Sequence, residues 1–207
     1  MAEEKIQISF VENEDCMIGM KRYPDKFFEL AIVDPEFGIG IGNSPRLVTD
    51  KGLEAKSWDD KPIDPAYFVE LFRVSREQII WGGNYYQLPA NKHCVIWDKM
   101  QPEAMSFGMF DYAWTSFDGS NKIFRYKVQN EKDKIHPTQK PVALYKWLLK
   151  NYAKPGDKIL DTHMGSQSSR IAAFDMGFDY YGWEIDPDYF AAGNKRFEQF
   201  KSQLKIF

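Results

Sequence analysis

The chain has 207 residues, 43% of them hydrophobic and 16% aromatic, with a formal net charge of -3. That apolar content suits one domain over residues 1–207 with a sizeable core, and it excludes a disordered chain. It also excludes a wholly basic nucleic-acid binder, so any cationic footprint must be local. Cys16 and Cys94 are too few for a disulfide framework, and the three histidines show no metal-ligand spacing. No apolar run is long enough to span a membrane and no signal core is present, so the expectation is a soluble, cytoplasmic, metal-free protein.

In chain order, residues 6–11 read as a short strand, followed by Asp15-Cys16 and a turn-rich stretch with Gly19 and Pro24. Residues 28–33 form a continuous apolar run, which fits a strand buried on both faces. Residues 38–60 carry glycines, Pro45 and charges with little periodicity, and predict a long functional loop. Asp64-Pro65 caps a helix to Val74, and strands follow at 78–81 and 94–97. Residues 112–117 and 123–126 flank Asp118-Gly119, a hairpin signal. Pro141 opens a helix to Tyr152, stopped by Pro155-Gly156-Asp157. A strand at 158–160, a helix at 168–176, a strand at 180–184 and a helix from Asp186-Pro187 to Leu204 complete the chain. This alternation predicts an α/β protein with a largely parallel sheet.

Two apolar runs end in an acid and a tight turn: Leu30-Ala31-Ile32-Val33-Asp34-Pro35-Glu36-Phe37-Gly38, and Lys158-Ile159-Leu160-Asp161-Thr162-His163-Met164-Gly165-Ser166-Gln167. The carboxyl ends of strands are where an α/β sheet binds ligands. In the second run, small residues after Asp161 let the backbone approach a ligand beside a helix N-terminus. Glu184 lies about 20 residues on, where a carboxylate can accept from ribose hydroxyls.

Together with His136-Pro137-Thr138-Gln139-Lys140-Pro141 and Gly182-Trp183-Glu184-Ile185-Asp186, these segments resemble the β-class S-adenosylmethionine-dependent DNA amino-methyltransferases. The resemblance implies a Rossmann-like fold, with a mostly parallel seven-stranded sheet and helices on both faces. It implies S-adenosyl-L-methionine as cofactor, surrounded by His136, Thr138, Lys140, Asp161, Gly165, Ser166, Ser168 and Glu184. Asp15 and Cys16 would lie against the adenine ring. It also implies double-stranded DNA as partner, makes a homodimer consistent with the chain, and fits a phage or prophage origin.

Exocyclic amino groups are weak nucleophiles because their lone pair is delocalised into the base. Transfer to them requires acceptors for both amino hydrogens, so that the lone pair is aimed at the sulfonium methyl of a base flipped from the duplex. By resemblance Asp34 takes one hydrogen, the Pro35 carbonyl takes the other, and Phe37 stacks on the base. An acid first and an aromatic fourth favour adenine N6 over cytosine N4. Trp81, Asn84, Tyr85, Trp97 and Lys99 resemble the family's target-pocket segments, with Asn84, Tyr85 and Lys99 expected to face the cleft and the two tryptophans equally readable as core. Larger members insert a target-recognition region where this chain has only residues 127–135. Lys122, Arg125, Lys127, Lys132 and Lys134 are candidate phosphate contacts, and Arg46, Lys51 and Trp58 could close over DNA.

Two positions depart from the family. Glu36 replaces a second proline, and Gln167 replaces a second glycine. The Gln167 side chain could obstruct the cofactor, weaken helix–strand packing, or point outward to a ligand. These departures keep open a catalytically impaired binding module on the same scaffold. A third reading is methylation of an amine outside DNA.

Overall fold

The computed structural model describes residues 7–43, 56–104, 108–128 and 134–204. The hub is β2 (Phe28–Val33), whose residues are buried on both faces except Glu29. Leu30 and Ile32 face one side and pack with Ile79, Leu144 and Leu148; Ala31 and Val33 face the other and pack with Met20, Tyr67 and Leu71. Two cores of this kind are what a strand without hydrophobic alternation requires.

One sheet holds β1 (Ser9–Glu12), β2, β3 (Ser75–Trp81), β4 (Cys94–Asp98), β5 (Phe110–Thr115), β6 (Lys122–Arg125), β7 (Lys158–Asp161) and β8 (Asp179–Trp183), in the order β1-β8-β7-β2-β3-β5-β4-β6. Only β5 runs against the others. The described residues therefore form eight strands, one more than the seven implied by resemblance, and the α/β class is as expected.

Helices α1 (Cys16–Met20) and α2 (Ala66–Val74) contribute to the core on one face of the sheet. On the other lie α3 (Val142–Tyr152) and α4 (Ser168–Asp175). The last helix, α5 (Pro187–Leu204), joins α4 through an edge-on contact of Phe174 with Phe197. Among the described residues no helix is long and apolar enough to cross a membrane.

Most sequence-read elements fall within two residues of the observed ones. Helix α1 went unread within the stretch after Asp15. Asp15 starts it by accepting the Met17 amide at 2.8 Å. The hairpin about Asp118-Gly119 is a correction, because β4 lies between β5 and β6. The link must cross two strand spacings, about 10 Å, which a two-residue turn cannot span. Asn91 anchors it by donating to the carbonyls of Thr115 and Phe117, and the Asn121 side chain accepts the Cys94 amide at 3.0 Å.

Gln167 sits at the entry to α4 with φ +57°, the left-handed backbone that favours glycine. Its side chain is fully buried and turns toward α5. There Nε2 donates to the Phe190 carbonyl and to Asn194 Oδ1, both at 3.3 Å, while Oε1 accepts from Arg170 at 2.8 Å. Room for it comes from Gly193, where an added Cβ would lie 2.6 Å from Gln167 Cγ.

Alanine is favoured over glycine inside a helix by about 1 kcal/mol. At residue 193 that preference should reverse, with Gly193→Ala destabilising by roughly 1–3 kcal/mol through overpacking. Thermal melts of Gly193→Ala alone and with Gln167→Gly check this. The alanine should be harmful only while Gln167 is present, and an equal effect in both backgrounds contradicts the packing.

Candidate active site

Helix α2 leaves β2 toward β3, while α4 leaves β7 toward β8. Neighbouring strands β2 and β7 thus send their connections apart, which opens a crevice at their carboxyl ends. Residues 34–37 form one lip and residues 161–167 the other.

Two cavities meet there. The first, about 410 Å³, is bounded by Asp34–Phe37, His136, Gly165 and Glu184 among others. The second, about 670 Å³, is bounded by Trp81, Tyr85, Trp97, Lys99 and Tyr112 among others. Phe37, Ile41, Thr138, Gln139 and Lys140 border both. Lys140 is nearly buried, and its ammonium pairs with Asp34 Oδ2 while lying 5.2 Å from the centre of the Trp81 ring. The other carboxylate oxygen, Asp34 Oδ1, is buried without a partner. Burial raises the Asp34 carboxyl above the ordinary aspartate value, against the pull of Lys140.

Asp59 fixes the segment after Asp34, and sequence reasoning missed it. Its carboxylate is fully buried and accepts the backbone N–H groups of Phe37 at 2.7 Å, Gly38 at 2.9 Å and Ile41 at 2.9 Å. Gly38 is needed there, since its φ is +73° and an added Cβ would lie 2.3 Å from the Pro62 nitrogen. Phe37 lies against Gly82 and stacks on Tyr85, with centroids 5.0 Å apart and planes 15° apart. The Pro35 carbonyl accepts from the Tyr86 hydroxyl at 2.8 Å.

The Glu36 departure has a partner. Glu36 Oε2 lies 3.3 Å from His163 Nε2, joining the two lips of the crevice. Burial alone would raise Glu36, but His163 overrides it and holds the carboxyl at about 2. Burial opposes charge on His163, yet Glu36 and the neighbouring Cys16 thiol hold it well above the ordinary histidine value. On its other side, His163 Nδ1 meets Thr162 Oγ1 at 2.9 Å, and that hydroxyl meets the Tyr67 hydroxyl at 2.5 Å.

Asp15, Cys16, His136, Thr138, Gly165, Ser166 and Glu184 all border the first cavity. Glu184 accepts the Gly165 amide at 2.7 Å and the Asp186 amide at 2.9 Å. The His136 ring lies on Gly165 and edge-on to Tyr189, and burial pushes it down to about 3, so it is neutral. Asp161 and Ser168 are not among the residues that border the cavity. Asp161 is buried behind it, accepting from Ser169 at 2.5 Å and the His163 amide at 3.0 Å, and burial pushes it up to about 6. Ser168 Oγ accepts from Arg196 at 2.9 Å.

Asn84, Tyr85 and Lys99 border the second cavity as expected, and so do Trp81 and Trp97. Of the basic candidates, Lys134 reaches it. Lys122 donates to Asn151 and Arg125 reaches Asp98, while Lys127 is exposed. Arg46, Lys51 and Lys132 lie outside the described residues. Trp58 borders the first cavity beside His136.

A family model described as DNA methylase matches residues 51–195. The chain belongs to this DNA methylase family. It is 22% identical over 203 residues to the "Putative methylase YubD" of Escherichia coli K12, covering 88% of this chain and 87% of that one. Its fold matches the M1.HpyAVI–SAM complex with TM-score 0.59 at 17% identity, covering 90% of this chain and 98% of that one. It also matches the cytosine-N4-specific PvuII DNA methyltransferase with TM-score 0.63 at 12% identity, covering 95% and 92%. Membership makes DNA the substrate class and methyl transfer the reaction.

Two measurements test the site. Asp59→Ala strands three backbone donors and should destabilise the protein by roughly 2–4 kcal/mol, with faster hydrogen exchange at Phe37, Gly38 and Ile41. Unchanged exchange at those amides contradicts the anchor. Glu36 has a folded pKa below its ordinary value of 4.5, so its contribution is present above pH 4.5 and lost as pH falls toward 2. His163 is raised above 6.5, so its contribution is present below pH 6.5 and lost as pH rises through the raised value. The stability gap between wild type and Glu36→Gln should therefore peak between pH 4.5 and 6.5 and shrink on both sides. A gap independent of pH contradicts the pair.

Proposed function

We propose that this DNA methylase transfers the methyl group of S-adenosyl-L-methionine to the exocyclic N6 of adenine in DNA. The observation that carries the reading is Asp34, which borders the first cavity with one oxygen on Lys140, a residue that borders both cavities, and the other, Oδ1, buried and unpartnered. A buried unpartnered acceptor is costly unless a ligand supplies a donor, and an exocyclic amino group is such a donor.

The first cavity fits the cofactor by size and by donor set. At about 410 Å³ it falls in the usual small-molecule range. Glu184 would accept from the ribose hydroxyls, Asp15 and Cys16 would take the adenine end, and Gly165, Ser166, His136 and Thr138 the methionine end. Asp161 would act from behind by shaping the turn. When bound, the cofactor supplies an electrophilic methyl group on a sulfonium. Asp34 accepts one hydrogen of the target amine, and the Pro35 carbonyl, which keeps a second lone pair beside the Tyr86 bond, accepts the other. Phe37 offers its ring to the flipped base. Lys140 orients the Asp34 carboxylate and keeps it in the accepting form.

Asp34 supports adenine over cytosine by residue type. The impaired-module reading loses its main support, because Glu36 is paired with His163 and Gln167 is housed against Gly193, away from the cavity.

The test is incubation with labelled S-adenosylmethionine and unmethylated duplex DNA, followed by digestion to nucleosides. Wild type should yield N6-methyladenine, and Asp34→Ala should lose roughly 100-fold or more of the rate. The rate should also fall as pH drops through the raised pKa of Asp34. N4-methylcytosine as the product would overturn the adenine assignment. Absence of both transfer and cofactor binding would overturn the enzyme.

A further inference from the structure

The indole of Trp81 carries a second unpartnered polar atom, across Lys140 from Asp34. Trp81 is fully buried, its Nε1 has no acceptor, and it borders the second cavity. An indole nitrogen can only donate. Strands β2 and β3 are parallel, with Val33 opposite Ile80, so Asp34 and Trp81 are the next residues of the same register. Lys140 ties them together, with its ammonium on Asp34 Oδ2 and 5.2 Å from the centre of the Trp81 ring. Beside them, the Phe37 ring rests on Gly82, the residue after Trp81.

An orphan acceptor and an orphan donor thus stand side by side, next to an aromatic ring. Buried polar groups are nearly always hydrogen-bonded in a working state, so each calls for a ligand group of the opposite kind. The required ligand presents an amino donor beside a ring-nitrogen acceptor on one edge of a flat heterocycle. Adenine has that edge, with N6 flanked by N1 and by N7; cytosine has it too, with N4 beside N3, so the choice of adenine comes from the reading above and not from this pair.

We infer that Trp81 is a specificity-determining residue whose indole N–H donates to the ring nitrogen beside the target amino group while Asp34 Oδ1 accepts from the amine. A base with a carbonyl in place of the amine would set its oxygen against the Asp34 carboxylate and be rejected. This rests on the adenine-transferase reading above and adds the second half of base recognition to it.

The experiment uses duplex oligonucleotides carrying the methylated site, first located by sequencing treated DNA, with adenine, 1-deazaadenine or 7-deazaadenine at the target. Wild type should lose roughly 10-fold in kcat/KM on one of the two analogues, the one lacking the contacted nitrogen. Trp81→Phe should lose a similar factor on adenine and lose nothing more on that analogue. A purely structural role for Trp81 would depress all three substrates equally, and that result overturns the proposal. Wild type indifferent to both analogues also overturns it, without recourse to any variant. Those outcomes leave adenine transfer standing. No methyl transfer to adenine by wild type overturns the adenine-transferase reading and this proposal together.

Discussion

The site depends on the divergence of two neighbouring connections. Because β2 hands on to α2 and β7 to α4 on opposite sides, no backbone fills the space beyond their carboxyl ends. The crevice would be shapeless without buried carboxylates to hold its rims. Asp59 gathers three amides of the first lip, Asp161 gathers an amide and a hydroxyl at the root of the second, and Glu184 ties the second lip to the start of α5. Each replaces water around backbone donors with fixed acceptors, which allows irregular chain to be buried. Lys140 then joins the segment after Lys134 to the first lip through Asp34.

The two departures from the family pattern illustrate how a local rule can be broken without loss of the whole. Glu36 gives up the rigidity of proline and gains a cross-crevice link to His163, so the same two lips are joined by charge. Gln167 keeps the left-handed backbone that glycine would adopt freely, which costs strain. The strain is offset by three hydrogen bonds of its buried side chain and by the space above Gly193. Both compensations are far apart in sequence, and neither can be read without the fold.

What was legible in the sequence was the repeated unit of apolar strand, acid and tight turn. Those positions follow from burial on both faces and from turn chemistry, and β2, β7 and β8 carry them where expected. The β5 strand was placed by tertiary pairing instead: Asp118-Gly119 looks like a hairpin locally, yet the pairing of β5 with β3 and β4 prevails. Asp59 gave no signal because its three partners lie 18 to 22 residues away in a loop without periodicity. Ser168 does not itself border the cavity; its hydroxyl lies between Ser166, which does, and Arg196.

On the proposed reading the first cavity takes the cofactor and the second opens to the base, and the two share the wall made by Phe37, Ile41, Thr138, Gln139 and Lys140. The most direct test is calorimetric titration of S-adenosylmethionine into wild type, Glu184→Ala and Tyr85→Ala. Glu184 borders only the first cavity and Tyr85 only the second. Glu184→Ala should lose roughly 10-fold or more in affinity, and Tyr85→Ala should keep wild-type affinity. Equal affinity in all three proteins, or a loss confined to Tyr85→Ala, would contradict that reading.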